Sequence, residues 1–264
     1  MNKYNIETEL VPIEKIFSVK GGIEYRSILH YTSILTVLKI FRNKTFLFNR
    51  IDCVNDLEEQ KKLREYENYR RTFISCFTYE EKESIPMWKI YTKDNMGVLL
   101  KIDFNDGYQL EDLFYATTMQ TKDNIRYPIN INNSLVKESP WWIKLDCFCV
   151  DYTDTPNNNP ILGEYSIPDY FGREKGTAWY YEKELRFRAV MHPKINETIE
   201  EIPQVDYLFA NINFEAINKI TLTFNPWVKK EEWVDILDEL IIGSEINGKI
   251  EYRDSCLYGK IRNG

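Results

Sequence analysis

The sequence predicts an α+β fold. Runs with strand character outnumber helical ones, the two kinds do not alternate regularly, and no internal repeat is visible, which argues against a doubly wound sheet. Residues 1–22 form a lead-in that ends at the Gly21-Gly22 break, and residues 23–264 are expected to make a single domain. RSILHYT (26–32) is a short β-prone run. SILTVLKIFRN (33–43) follows it with Ile34, Val37, Leu38 and Phe41 on one helical face and Ser33 as N-cap. TFLF (45–48) is the next strand. Asn55-Asp56-Leu57-Glu58 has the spacing of a capping box and opens a charged helix through about Arg71, with a thin apolar face. FISCFT (73–78) is a buried strand, IPMWKIYT (85–92) a short helix, and GVLLKIDF (97–104) a strand that partly alternates. Strand candidates follow at 113–118, at 125–131 and at WWIKLDCFCVDY (141–152), the last long enough for a central strand. TDTPNNNP (153–160) has the composition of an exposed loop. AWYYEKELRFRAVM (178–191) is β-like in its second half, KITLTF (219–224) is a strand, and KKEEWVDILDELI (229–241) a helix with Trp233, Ile236, Leu237 and Leu240 apolar.

With 34 Lys+Arg against 41 Asp+Glu the net charge is −7, which argues against a basic nucleic-acid scaffold. At 43% apolar residues a chain of 264 can bury a sizeable core. The N-terminal MNKYNIETELVPIEKIF lacks the uninterrupted hydrophobic stretch of a signal peptide or anchor, so a cytoplasmic location and no membrane partner are expected. Five cysteines make an odd count, and four sit in apolar runs; they are expected to be small buried hydrophobes in a reducing compartment. Cys147-x-Cys149 supplies two alternate residues without a nearby His or second Cys pair, so no metal site is expected. There is no GxGxxG, Walker loop, GxSxG elbow or HExxH.

Three groups of residues carry chemistry. His30 ends a short strand just before a helix, where an imidazole can hold a ligand hydroxyl or amide; the plainer alternative is a histidine hydrogen-bonded within the fold. His192 is expected in a surface turn. In Trp179-Tyr180-Tyr181-Glu182-Lys183-Glu184-Leu185-Arg186-Phe187-Arg188, strand periodicity puts Glu182, Glu184, Arg186 and Arg188 on one face and Leu185, Phe187 and Ala189 on the core face. Such a face is ordinarily solvated ion pairs worth about 0–1 kcal/mol each, but the adjoining aromatic trio could shield a carboxylate from water. The third group is Asn55-Asp56 with Trp88 and Tyr91, whose simplest roles are a helix cap and core packing.

Taken together, His30-Tyr31-Thr32, Asn55-Asp56 with Glu58, Ser75-Cys76-Phe77 followed by Trp88, Tyr91 and Gly97-Val98, and Tyr181-Glu182-Lys183-Glu184-Leu185-Arg186 resemble the bacterial domain of unknown function numbered 2971, from about Ser27 to the end of the chain. That family in turn resembles the ADP-ribosyltransferases. The resemblance implies an ADP-ribosyltransferase-like split β-sheet core with flanking helices and NAD as co-substrate. His30 with Thr32 would hold the ribose, Glu184 would be the catalytic glutamate and Glu182 the first acid of a Glu-x-Glu pair. Tyr31, Trp88 or Tyr91 would stack on nicotinamide, and Arg50 would meet the diphosphate. Loss of nicotinamide leaves an oxocarbenium-like ribose, which a fixed carboxylate stabilises while taking a proton from the incoming nucleophile. The expected activity is transfer of ADP-ribose to a macromolecular acceptor, RNA, DNA or protein, by a bacterial toxin or anti-phage effector held in check by an antitoxin or chaperone partner. The alternatives are a non-catalytic sensor or partner-binding module of the same fold, and an NAD glycohydrolase. The basic residues Lys61, Lys62, Arg64, Arg70 and Arg71 spread over more than one helix face and are expected to be solvated surface.

Overall fold

The computed structural model describes residues 25–64, 67–92, 96–120, 126–130, 141–156, 161–162, 165–166, 171–193, 205–241, 246 and 248–261; the lead-in at 1–22 lies outside them. The elements run β1 (Ser27–Ser33), α1 (Ile34–Asn43), β2 (Thr45–Arg50), α2 (Leu57–Leu63), β3 (Thr72–Thr78), α3 (Ile85–Tyr91), β4 (Gly97–Phe104), β5 (Phe114–Gln120), β6 (Arg126–Asn130), β7 (Trp141–Cys149), β8 (Asp151–Thr153), β9 (Ile161–Leu162), β10 (Tyr165–Ser166), β11 (Glu174–Gly176), β12 (Glu184–Pro193), β13 (Tyr207–Ile212), β14 (Ile217–Phe224), α4 (Val234–Ile241) and β15 (Ile250–Arg253). The fold is mixed, with a large, mostly antiparallel sheet and few helices.

Local rules account for most elements. Ser33 caps α1 as the sequence predicts, its Oγ accepting from the Thr36 amide at 3.2 Å. Lys44 stops the helix in the left-handed region (φ 56°), its amide donating to the Ile40 carbonyl. The continuous apolar run of β3 is buried almost throughout because the strand is covered on both faces. Helix α2 ends at Leu63 rather than near Arg71, and a 3-10 turn spans Glu67–Arg71. Its apolar face is too thin to stabilise further turns: Leu63 is buried but Leu57 is largely exposed. Nor is the basic cluster plain surface, since Arg64 pairs with buried Asp52 at 3.1 Å and Arg71 is buried.

Five other expectations change. The run 141–152 is interrupted at Val150 between β7 and β8, and among the described residues β7 pairs only with β12. Of the expected loop 153–160, Thr153 belongs to β8 and residues 157–160 lie outside the described ones. Helix α4 starts at Val234 after a 3-10 turn, and Ile236 is half exposed. His192 lies within β12 opposite Trp142, not in a turn. Only Cys147 of the five cysteines is buried; Cys53 and Cys256 are exposed, because the short segments that carry them run at the surface.

The topology turns on β3. One edge of β3 is occupied along its length by β12, from Glu184 opposite Thr78 to Val190 opposite Thr72. The other edge is shared by two strands that do not pair with each other. β1 touches it at Leu29 opposite Thr78, and β2 at Asn49 opposite Ile74 and Arg50 opposite Phe73. From this fork one arm continues β1-β4-β14-β15 and the other β2-β13-β5-β6. Between the two junctions Ser75, Cys76 and Phe77 have no strand partner on that edge among the described residues. Beneath the fork an aromatic cluster fills the core, with Phe77 and Phe114 at 5.3 and 5.0 Å from Phe187 and Phe46 at 5.3 Å from Phe77. Phe187 is fully buried where both arms meet, so Phe187→Ala is expected to destabilise the protein by about 3–5 kcal/mol, checked by urea unfolding.

Candidate functional site

A strand edge without a partner must satisfy its carbonyls elsewhere, and this requirement builds the site. In the fork, His30 fills the gap left between β1 and β2, its Nδ1 lying 2.9 Å from the Cys76 carbonyl oxygen. A carbonyl only accepts, so Nδ1 carries the proton and Nε2 keeps an acceptor lone pair. Burial pulls the imidazole below its ordinary range, partly opposed by that hydrogen bond, so the ring stays neutral. Phe77 and Phe46 fix its plane, at 5.2 and 6.1 Å between ring centres.

Leu29 and Glu184 stand on opposite sides of Thr78, two strand spacings or roughly 10 Å apart. His30, the next residue after Leu29 and so on the other face of its strand, and Glu184, more than 150 positions away in sequence, both line one cavity of about 690 Å³. Because the cavity penetrates the fork, it is lined from both faces of the sheet, by Phe46 and Phe77 of the core as well as by Glu182, Glu184 and Arg186.

The acidic and basic side chains of β12 are not a solvated face. Glu184 is 4% exposed and Arg186 and Arg188 are 0% exposed, because α2, β11 and the Phe171–Gly172 segment cover them. Arg186 spends all five of its N–H donors within the fold. Nε and Nη2 reach Glu184 at 2.8 and 3.2 Å, Nη1 and Nη2 reach Glu59 at 2.5 and 3.1 Å, and Nη1 reaches the Gly172 carbonyl at 2.8 Å. Gly172 is required there: its φ is +74°, and a Cβ would lie 2.9 Å from Arg186 Nη1 and 2.8 Å from Ile51 Cδ1. Arg188 pairs with buried Asp146 through Nε at 2.9 Å and through Nη2.

Glu182 lies in a 3-10 turn, Thr177–Glu182, rather than in the strand, and Lys183 (φ 45°) reverses the chain into β12. Lys175 of β11, buried to 2% exposure, bridges the two acids, its Nζ 2.6 Å from Glu182 Oε2 and 3.4 Å from Glu184 Oε2. Tyr91 donates its hydroxyl proton to Glu182 Oε1, and Asn55 Nδ2 donates to the Tyr91 oxygen at 2.5 Å. Asp56, not Asn55, caps α2, accepting the Glu58 and Glu59 amides at 2.9 and 3.2 Å. The cap also anchors Glu59 where Arg186 needs it.

The two carboxyls are pushed apart. Burial tends to raise Glu184, but Arg186 and Lys175 more than offset it and hold the group at about 2, a fixed anion. Glu182 goes the other way. Burial raises it, the neighbouring Glu184 charge adds to the rise, and Lys175 and Tyr91 only partly counter them. The two adjacent carboxyls are thus shifted in opposite directions, Glu184 down and Glu182 up.

The other expected residues divide. Tyr31 lines the cavity with its hydroxyl accepting from the Ser84 amide at 2.9 Å, and burial pushes it up to about 12. Tyr91 lines it too. Trp88 is fully buried in a satellite cluster with Tyr31, edge-on at 4.9 Å, and its Nε1 donates to Glu83, so it is not available for stacking. Thr32 is buried opposite Val98 and does not line the cavity. Arg50 does line it, but Nε pairs with Asp52 at 2.6 Å and Nη1 with Asp206 at 2.7 Å, which offsets much of the charge a diphosphate would meet. Of the aromatic trio, Trp179 has Lys175 Nζ 4.5 Å from its ring centre, and Tyr181 feels the charges of Glu182 and Lys175. Lys175 and Glu59 are site residues that no motif announces, and Cys76 enters only as part of the resemblance, with no role assigned; Lys175 sits in an unremarkable Glu-Lys-Gly triplet. Among the described residues no group of three His, Cys, Asp or Glu is arranged to hold a metal, and no helix is long and apolar enough to cross a membrane.

Comparisons with protein-family models, with curated proteins and with solved structures find no match to this chain.

The depressed Glu184 carboxyl predicts a pH dependence of stability. The folded state binds this proton more weakly than the unfolded chain, so the stabilisation is present above the ordinary value of 4.5 and is lost as pH falls from there toward 2. The loss is on the order of 3 kcal/mol for this buried group. Urea unfolding as a function of pH should show that fall in the native protein and a flatter profile in Glu184→Gln.

Proposed function

We propose that the chain is an ADP-ribosyltransferase that takes NAD as substrate in this cavity and transfers ADP-ribose to a macromolecule. The observation that carries the proposal is the meeting of His30 with Glu182 and Glu184 in one cavity at the fork of the sheet. A sheet split at its centre, with a histidine on the first strand and a glutamate opening a later one, agrees with the resemblance to the ADP-ribosyltransferases. The volume, about 690 Å³, falls within the range of pockets that enclose small ligands, roughly 300–1,000 Å³.

Each residue type suits the reaction. The Nε2 lone pair of His30, set by the Nδ1 contact to Cys76, can accept a ribose hydroxyl proton. When the bond between nicotinamide and ribose breaks, nicotinamide leaves with the electron pair and positive charge grows on the sugar. Glu184 is a preorganised negative charge that needs no rearrangement to meet it. Glu182, the carboxyl with the raised value, takes the proton of the incoming nucleophile. The work assigned to one glutamate by the resemblance is thus divided between two. Tyr91 provides a ring on the cavity wall beside Glu182, and its hydroxyl orients that carboxyl.

Incubation with NAD labelled on the adenine or ribose tests the proposal. Label on a macromolecule supports transfer, free ADP-ribose indicates hydrolysis with water as acceptor, and unchanged NAD indicates a non-catalytic module. Glu182→Gln should lower turnover by about 10²–10⁴-fold, the usual contribution of a general base. His30→Ala should raise the KM for NAD more than it lowers kcat; an unchanged KM would remove His30 from binding. Because a base acts deprotonated, turnover should fall with decreasing pH along a limb lying above the ordinary glutamate value of 4.5. Glu182→Gln should abolish that limb.

A further inference from the structure

We propose that Lys175 is a positioning residue of this site, an ammonium that bridges the two glutamates and keeps Glu182 in its charged, proton-accepting form. The inference rests on the transferase reading for its catalytic meaning, but its physical basis is independent of NAD. Three carboxyls, Glu59, Glu182 and Glu184, share a buried cluster with two cations, Arg186 and Lys175. Arg186 has committed every donor to Glu184, Glu59 and the Gly172 carbonyl, so none reaches Glu182. Among the described residues, Lys175 is the cation that contacts Glu182, at 2.6 Å.

The groups around Glu182 set what that contact has to balance. Around Glu182 stand the Tyr91 hydroxyl from α3, Tyr152 from β8 and Glu184 with Arg186 from β12, with Cys76 of β3 and Glu59 of α2 behind them. Apart from the two cations, each of these groups is neutral or acidic when it titrates. Taking away the ammonium would leave three carboxyls against Arg186 alone, and Glu182 would relieve the excess by holding its proton.

The short strand β11 exists in register to deliver this group. It pairs in parallel with β8, Lys175 opposite Tyr152, and the Tyr152 hydroxyl accepts the Glu184 amide proton at 2.9 Å. One small ribbon thus fixes both the backbone of Glu184 and the ammonium between the acids. The Trp179 ring lies over Nζ at 4.5 Å, a cation–π contact that adds to the hold on the ammonium.

The test is a carboxyl carbon NMR titration of the full chain, labelled at glutamate, with the Glu182 signal assigned by its loss in Glu182→Gln. Lys175→Met should move the Glu182 midpoint up by about 1–3 pH units relative to the native protein, and Lys175→Arg should bring it back toward the native value. The acid limb of NAD turnover should move by the same amount in the same variants, without a matching change in KM. A Glu182 midpoint that stays put in Lys175→Met overturns the proposal, as does a shift that Lys175→Arg fails to reverse. Should the Met variant not fold by circular dichroism, Lys175→Gln, which keeps a donor without the charge, carries the same expectation. The titration needs no NAD, so native protein that leaves NAD untouched would refute the transferase reading while the titration still decides the role of Lys175.

Discussion

The guanidinium of Arg186 is the constraint on which the rest of the structure depends. It is wholly buried, and burying a charge without partners would be prohibitive. Five acceptors from three separate segments must therefore converge on it: Glu184 from its own strand, Glu59 from α2 and the Gly172 carbonyl from the stretch before β11. Each has a local reason to be in place. Asp56 caps α2 so that Glu59 faces inward, and a glycine at 172 allows the backbone approach that a Cβ would block. In return, the arginine fixes the first carboxylate of β12 as a permanent anion at the edge of a cavity.

The second constraint is topological. β12 takes one edge of β3 entirely, and two strands divide the other edge without meeting. A continuous sheet would have paired Cys76 with a neighbouring backbone. Here an imidazole does that work, and the side chain recruited to satisfy a carbonyl keeps an acceptor lone pair on its second nitrogen, in a residue that lines the cavity. One nitrogen is spent on the fold and the other keeps its lone pair. This is why the two readings of His30, a histidine bonded within the fold and a ligand holder, are not exclusive.

Electrostatic asymmetry follows from these two facts. Glu184 is close to both cations and Glu182 to one, so desolvation is overcome at the first and not at the second. Neighbouring carboxyls with opposite shifts can divide the tasks of charge stabilisation and proton transfer. The different settings of the two carboxyls come from a single left-handed residue, Lys183, which takes Glu182 out of the strand and sets it beside Tyr91 and Lys175.

Short-range patterns determined much of the fold. The Ser33 cap, the 3.6-residue spacing of α1, the apolar runs of β3 and β4 and the alternation of Leu185, Phe187 and Ala189 are local signals, and the elements they predict are present. His30, Glu182 and Glu184 were visible because their residue types stand out beside strand patterns. What only the tertiary structure decided is everything that depends on non-local pairing. The fork at β3, the burial of the β12 charges that strand periodicity alone marked as a solvated face, the withdrawal of Trp88 and Thr32 from the cavity and the arrival of Lys175 all belong here. Nothing within a few residues of Lys175 distinguishes it from a surface lysine; its role comes from being placed between two carboxyls by a strand pairing with β8. The alternation of YLFANI in β13 is a local signal too, whereas the contact of Arg64 with buried Asp52, across twelve positions, is one that no periodicity encodes. Sequence fixes which side chains alternate, whereas the dielectric around a charge is set by what the rest of the chain lays over it.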